Sequence, residues 1–262
     1  MIEQEIIKDP KNVEWEVEND SIKFILTNGI SKYIERNGID IEDGMDKKNA
    51  MRILVCADDR VSSEGEIAII GSGILMEKEI LKQIIKKYEI RVITMHKNCG
   101  VINSGDSQET ADQKSIKYAL SVGKELIEEG YPISFEYFDE IEPADYHNAR
   151  AIYLNNVKGF NPTKIKAMLR GFLIEKFIDI DVEGNSKKEL ELITKIAFSE
   201  AGFGERFTEE KPFIIVCCLN ENDNFEEIKQ EINGVLDKIK LENKIENIKE
   251  RTKIDYFIAP AK

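Results

Sequence analysis

The chain has 262 residues, with 37 Lys+Arg against 50 Asp+Glu for a formal net charge of −13, and it is 42% hydrophobic and 33% charged. That apolar content excludes a mostly disordered chain, and the acidity argues against nucleic-acid binding or attachment to anionic membranes, both of which need a basic surface. No stretch approaches the ~20 apolar residues of a membrane helix, the acidic start MIEQE lacks the pattern of a secretory signal, and four Cys do not make a disulfide scaffold, so the expectation is a cytoplasmic protein with reduced thiols.

Residues 1–20 read as a polar, acidic arm carrying the lone Trp15. Ile22, Ile25, Leu26, Ile30, Tyr33 and Ile34 recur at helical spacing and predict a helix over 21–36, with Asp20 or Ser21 at its start and Gly38 past its end. Residues 37–50 are a polar, Gly-containing connector. Strand and helix then alternate. Strands are expected at Arg52–Cys56, Glu66–Ile70, Ile90–Met95 and Ile133–Phe138. Between them run helices marked by Ile80, Leu81, Ile84, Ile85 and Tyr88, and by Ile116 through Ile127, the second stopped by Gly130 and Pro132.

The last third repeats the theme. Strands are expected at Ala151–Leu154, Phe177–Val182, Lys211–Leu219 and Ile254–Ala259. Ser186 and Glu189 have the spacing of a capping box ahead of a helix reaching about Phe198, and Asp223-Asn224 opens a long helix. Alternation of this kind implies an α/β fold: a parallel-core β-sheet flanked by helices, with an N-terminal helical arm and a C-terminal α/β extension.

In such sheets ligands gather beyond the carboxyl ends of the strands. The first strand ends in Cys56-Ala57-Asp58-Asp59-Arg60 and the third in His96-Lys97-Asn98-Cys99-Gly100, so three of the chain's six Cys and His residues fall at one sheet edge. Two thiolates and an imidazole are a soft donor set that suits tetrahedral Zn²⁺ with one position open. In an extended stretch Cys56, Asp58 and Arg60 would point the same way, so that Arg60 forks the Asp58 carboxylate. Asp58 would then accept a hydrogen bond from a zinc-bound water, or bind the zinc itself.

These two motifs, in this order and on these elements, resemble the β-class carbonic anhydrases over about residues 50–130. The resemblance implies reversible hydration of carbon dioxide to bicarbonate. Cys56, His96 and Cys99 would hold Zn²⁺, and Asp58 and Arg60 would be the catalytic pair. It also implies a homodimer or higher homo-oligomer, since the family builds its pocket across a subunit interface. The chain departs from the family in a shorter Cys56-to-His96 interval and in Gly71-Ser72-Gly73 where an Asn-Ala-Gly-Asn-like turn is usual. The parts expected are an arm and helix over 1–48, a zinc-binding α/β core over 49–148, and a C-terminal α/β lobe over 149–262, continuous with the core or separate from it. Two other functions use the same site: a COS- or CS₂-type hydrolase, or a zinc-bearing regulatory or structural protein without catalysis.

The remaining candidates read more plainly. Gly71-Ser72-Gly73 lacks the spacing of a phosphate loop and reads as a tight turn beside the site. Cys217-Cys218 lies in an apolar run, and adjacent strand residues face opposite ways, so both read as core. The echo between RILVC and PFIIVCC suggests a degenerate duplicated half without metal. His147 reads as a loop histidine that could shuttle protons only if it lies near the zinc.

Overall fold

The computed structural model describes residues 10–46, 52–58, 61–62, 67–97, 99, 108–138, 147–243 and 245–260. It is an α/β protein with two four-stranded parallel sheets. The first comprises β1 (Arg52–Val55), β2 (Ile67–Ala68), β3 (Ile90–His96) and β4 (Ser134–Phe138) in the order β2-β1-β3-β4. The second comprises β5 (Ala151–Asn155), β6 (Gly171–Glu175), β7 (Phe213–Leu219) and β8 (Thr252–Ile258) in the order β6-β5-β7-β8. Each half thus runs centre, edge, other centre, other edge. Among the described residues no helix is long and apolar enough to cross a membrane.

Three short helices precede the sheets: α1 (Pro10–Val17), α2 (Asn19–Asn28) and α3 (Ile30–Arg36). The single helix expected over 21–36 is therefore broken. Gly29 takes φ +87°, and the Ile30 N–H goes to Asp255 Oδ2 at 2.9 Å instead of continuing the ladder. Trp15, Ile22, Ile25 and Ile30 are buried in the apolar cluster of the second sheet. Arg150, fully buried, stacks 3.7 Å over the Trp15 ring and donates to the Trp15 carbonyl. The arm is part of the second half's core.

The crossover helices are α4 (Lys78–Lys87) and α5 (Gln108–Glu128) in the first half, α6 (Asn185–Ala197) and α7 (Phe225–Asn243) in the second. β2 is shorter than the expected Glu66–Ile70. Ile70–Gly73 curls into a 3-10 turn in which Gly71, Ser72 and Gly73 all have positive φ. The strand expected at Phe177–Val182 is also displaced: the sixth strand is Gly171–Glu175, and Lys176–Ile180 is a 3-10 turn. Gly171 explains the placement, because a Cβ there would lie 2.7 Å from the Ala151 carbonyl oxygen of β5. Glycine alone lets these backbones pair at that distance.

The capping box at Ser186 is not formed either. The Ser186 N–H and hydroxyl both bond Asp179. Glu189 instead reaches the first half, where Oε1 accepts the Ile70 N–H at 2.7 Å. The halves meet along this seam: the Leu173 N–H of β6 donates to the Ala57 carbonyl at 3.2 Å. Val55, Ala57, Ala68 and Ile70 share the apolar cluster of the second sheet, while the outer face of the first sheet has its own, built on Leu54, Ile93, Leu81, Ile85 and Val122.

Candidate metal centre

β1 and β3 are neighbours, and the chain leaves β1 toward β2 on one side while β4 lies on the other side of β3. The crevice at their carboxyl ends is the switch point where α/β sheets bind ligands. Cys56 follows the last residue of β1, His96 is the last residue of β3, and Cys99 comes three residues later. All three are buried, and one ligand atom from each lies within 4.8 Å of the other two. The sulfurs of Cys56 and Cys99 are 3.9 Å apart. That is far too long for a disulfide, and it is close to the ~3.8 Å that separates two sulfurs held at tetrahedral zinc. The donor set and its spacing fit a metal ion of the zinc type.

Local bonding prepares each donor. His96 Nδ1 lies 2.9 Å from the Lys97 carbonyl oxygen. A carbonyl only accepts, so the ring proton sits on Nδ1 and Nε2 keeps the lone pair to offer. The Gly71 N–H donates to Cys56 Sγ at 3.1 Å, which the positive-φ turn makes possible by aiming its amide at the sulfur. Burial, followed by the neighbouring Cys99, pushes the Cys56 thiol well up, and His96 partly offsets this. A metal taking this site must displace protons from sulfur.

Asp58 sits in the same crevice, buried, but not by the route the extended spacing suggested. The chain turns after Ala57, and the Asp58 carbonyl accepts the Val61 and Ser62 N–H groups at 3.1 and 2.9 Å. The segment is thus not simply extended at Asp58, yet Cys56 and Asp58 face one cavity as expected. Arg60 and Asp59 lie outside the described residues. Asp58 Oδ2 is 3.8 Å from His96 Nε2, and Oδ1 is 3.5 Å from His147 Nδ1. His147 lies in a loop as expected, just before β5, but it is buried, its ring tilted against Phe172 at 5.2 Å and its backbone N–H bonded to the Ala201 carbonyl. The only sequence signal for it was the scarcity of histidine.

The cavity beside the metal ligands is small. Phe172, Ile193 and Ile196 of the second half face Cys56, Asp58 and His147 across it. At the equivalent crevice of the second sheet, β7 ends in Leu219 where β3 ends in His96. Asn156 Nδ2 and the Asn220 N–H both bond Asp223 Oδ2, at 2.6 and 2.8 Å. That crevice is closed by amide and carboxylate hydrogen bonds, without thiol or imidazole. Cys217 and Cys218 are fully buried within β7, and burial pushes the Cys217 thiol up to about 12.

No family model matches the chain, and no match was found among curated proteins or solved structures. The site therefore rests on its own geometry.

Proposed function

We propose that the chain is a zinc enzyme of the β-carbonic-anhydrase kind, hydrating carbon dioxide reversibly to bicarbonate. One observation carries the reading. A buried Cys-His-Cys donor set sits at a parallel-sheet switch point, and one of its members, Cys56, lines a small, half-apolar cavity together with the buried Asp58 carboxylate. A purely structural zinc site is normally closed by four protein ligands, whereas Asp58 stands outside the three-residue cluster.

Cys56, His96 and Cys99 would hold the ion. When bound, zinc supplies Lewis acidity that makes coordinated water a nucleophile near neutral pH. Asp58 would accept a hydrogen bond at Oδ2 from a water held there and so orient it toward the substrate. Phe172, Ile193 and Ile196 form the apolar wall, against which a small uncharged linear molecule loses little on leaving water. The β-carbonic-anhydrase resemblance assigns Arg60 to hold the Asp58 carboxylate, and we retain that role as part of the proposal. The strand order β2-β1-β3-β4 puts both ligand-bearing strands at the centre of one sheet, which supports the reading.

The apolar wall suits carbon dioxide and carbonyl sulfide alike, so both enter the test. Stopped-flow hydration of CO₂ is measured on zinc-quantified protein, with COS hydrolysis in parallel. Wild type should hydrate CO₂. Asp58→Ala and Arg60→Ala should keep their zinc and lose about 10²-fold in kcat/KM, as expected for loss of a positioned acceptor or its support. Turnover of COS alone would move the substrate assignment, and wild-type rates in both variants would overturn the mechanism.

A further inference from the structure

The two oxygens of Asp58 are divided between two histidines: Oδ2 lies 3.8 Å from His96 Nε2 and Oδ1 lies 3.5 Å from His147 Nδ1. The first separation exceeds by only a few tenths of an ångström the ~3.4 Å between oxygen and nitrogen donors on one tetrahedral zinc. A modest rotation of the carboxylate would thus make Asp58 a fourth ligand and fill the position that a reacting water needs. Besides the hold proposed for Arg60, a contact on the other oxygen would oppose that rotation. We propose that His147 is the positioning residue that supplies this contact, keeping Asp58 beside the metal position and off it.

The surroundings suit a fixed anchor. The ring of His147 is buried, it packs against Phe172 of β6, and its own backbone N–H is tied to Ala201 at 2.6 Å. An imidazole immobilised in this way resists swinging with the carboxylate. The residue lies outside the stretch of about 50–130 that carries the family resemblance, so that resemblance assigns it nothing. It also makes the second half a contributor to the site, through a polar contact as well as an apolar wall. The inference rests on the metal reading of Cys56, His96 and Cys99, and not on the identity of the substrate.

The test reads the fourth position directly. Full-length protein is loaded with Co²⁺ and titrated with azide, and the visible absorption of the cobalt reports binding. His147→Phe keeps the buried ring and removes the nitrogen, while His147→Asn keeps an N–H donor near the place of Nδ1. With cobalt retained, His147→Phe should bind azide at least about tenfold more weakly than wild type, the scale of a lost hydrogen bond to a charged group. His147→Asn should stay within about threefold of wild type. Adding Asp58→Ala to His147→Phe should restore azide binding, because the competing carboxylate is gone. Equal azide affinity in wild type and His147→Phe overturns the inference. So does a double variant as weak as His147→Phe alone. Wild type that takes up no cobalt overturns the metal reading as well, whereas cobalt and azide binding without CO₂ turnover would leave this inference standing and sink only the proposed reaction.

Discussion

His96 can offer a metal only one nitrogen, because its Nδ1 proton is committed to the Lys97 carbonyl. Replacing His96 with Ala, or Cys99 with Ser, should therefore remove most of the zinc from purified protein, measured by elemental analysis per chain. Stoichiometric zinc in either variant would contradict the ligand assignment. Glu189 allows a second test at this scale. It is buried, and desolvation pushes its carboxyl up from 4.5 to about 8 while its Oε1 holds the Ile70 N–H. A carboxyl whose folded pKa is raised gives stability that is intact below pH ~4.5 and is lost as pH climbs through about 8. Glu189→Gln keeps an acceptor for Ile70 and does not titrate. Its melting temperature should exceed that of wild type by about 4 °C or more at pH 8, with the gap closing at pH 5. A gap that does not change with pH would show that Glu189 is not held neutral. That Cys56, His96 and Cys99 would meet was legible in the sequence, because two motifs at the ends of neighbouring strands bring their donors together. The contacts of His147 with Asp58 and of Glu189 with Ile70 were not, since no local pattern pairs residues so far apart in the chain.

At the scale of elements, what sequence pattern missed was decided by contacts between elements. FIDIDV at 177–182 alternates like a strand, yet the strand is GFLIE at 171–175, where Gly171 lets β6 approach β5. Gly171→Val should destabilise the protein by about 2 kcal/mol or more, because the new side chain meets backbone that cannot give way; denaturant unfolding measures it, and a neutral result would mean the pairing tolerates a Cβ. The Ser186–Glu189 capping pattern misled for a related reason, with Asp179 capping the helix and Glu189 drawn across to Ile70. The seven other strands lie within a few residues of the expected positions; β1, β3, β5 and β7 at the sheet centres are mostly buried and carry near-continuous apolar runs, while the edge strands β4 and β8 are more exposed and alternate.

Over the whole molecule, two sheets of the same strand order face different chemistry at their switch points: thiols and imidazole in one, an Asn156–Asn220–Asp223 network in the other. The echo between RILVC and PFIIVCC in fact links β1 with β7, which hold different places in the two sheets. Cys217→Ala with Cys218→Ala should cost ~1–2 kcal/mol each through the cavities left in β7, with zinc content unchanged. Loss of zinc in that double variant would put the metal in the wrong half. The central claim is that Cys56, His96 and Cys99 form a metal centre with one position open to a light atom. X-ray absorption at the zinc edge of the purified protein tests it most directly. Two sulfur and two nitrogen or oxygen neighbours are expected, in protein carrying about one zinc per chain. Absence of zinc, or a first shell of four protein sulfurs and nitrogens that does not change in Asp58→Ala and admits no azide, would contradict it.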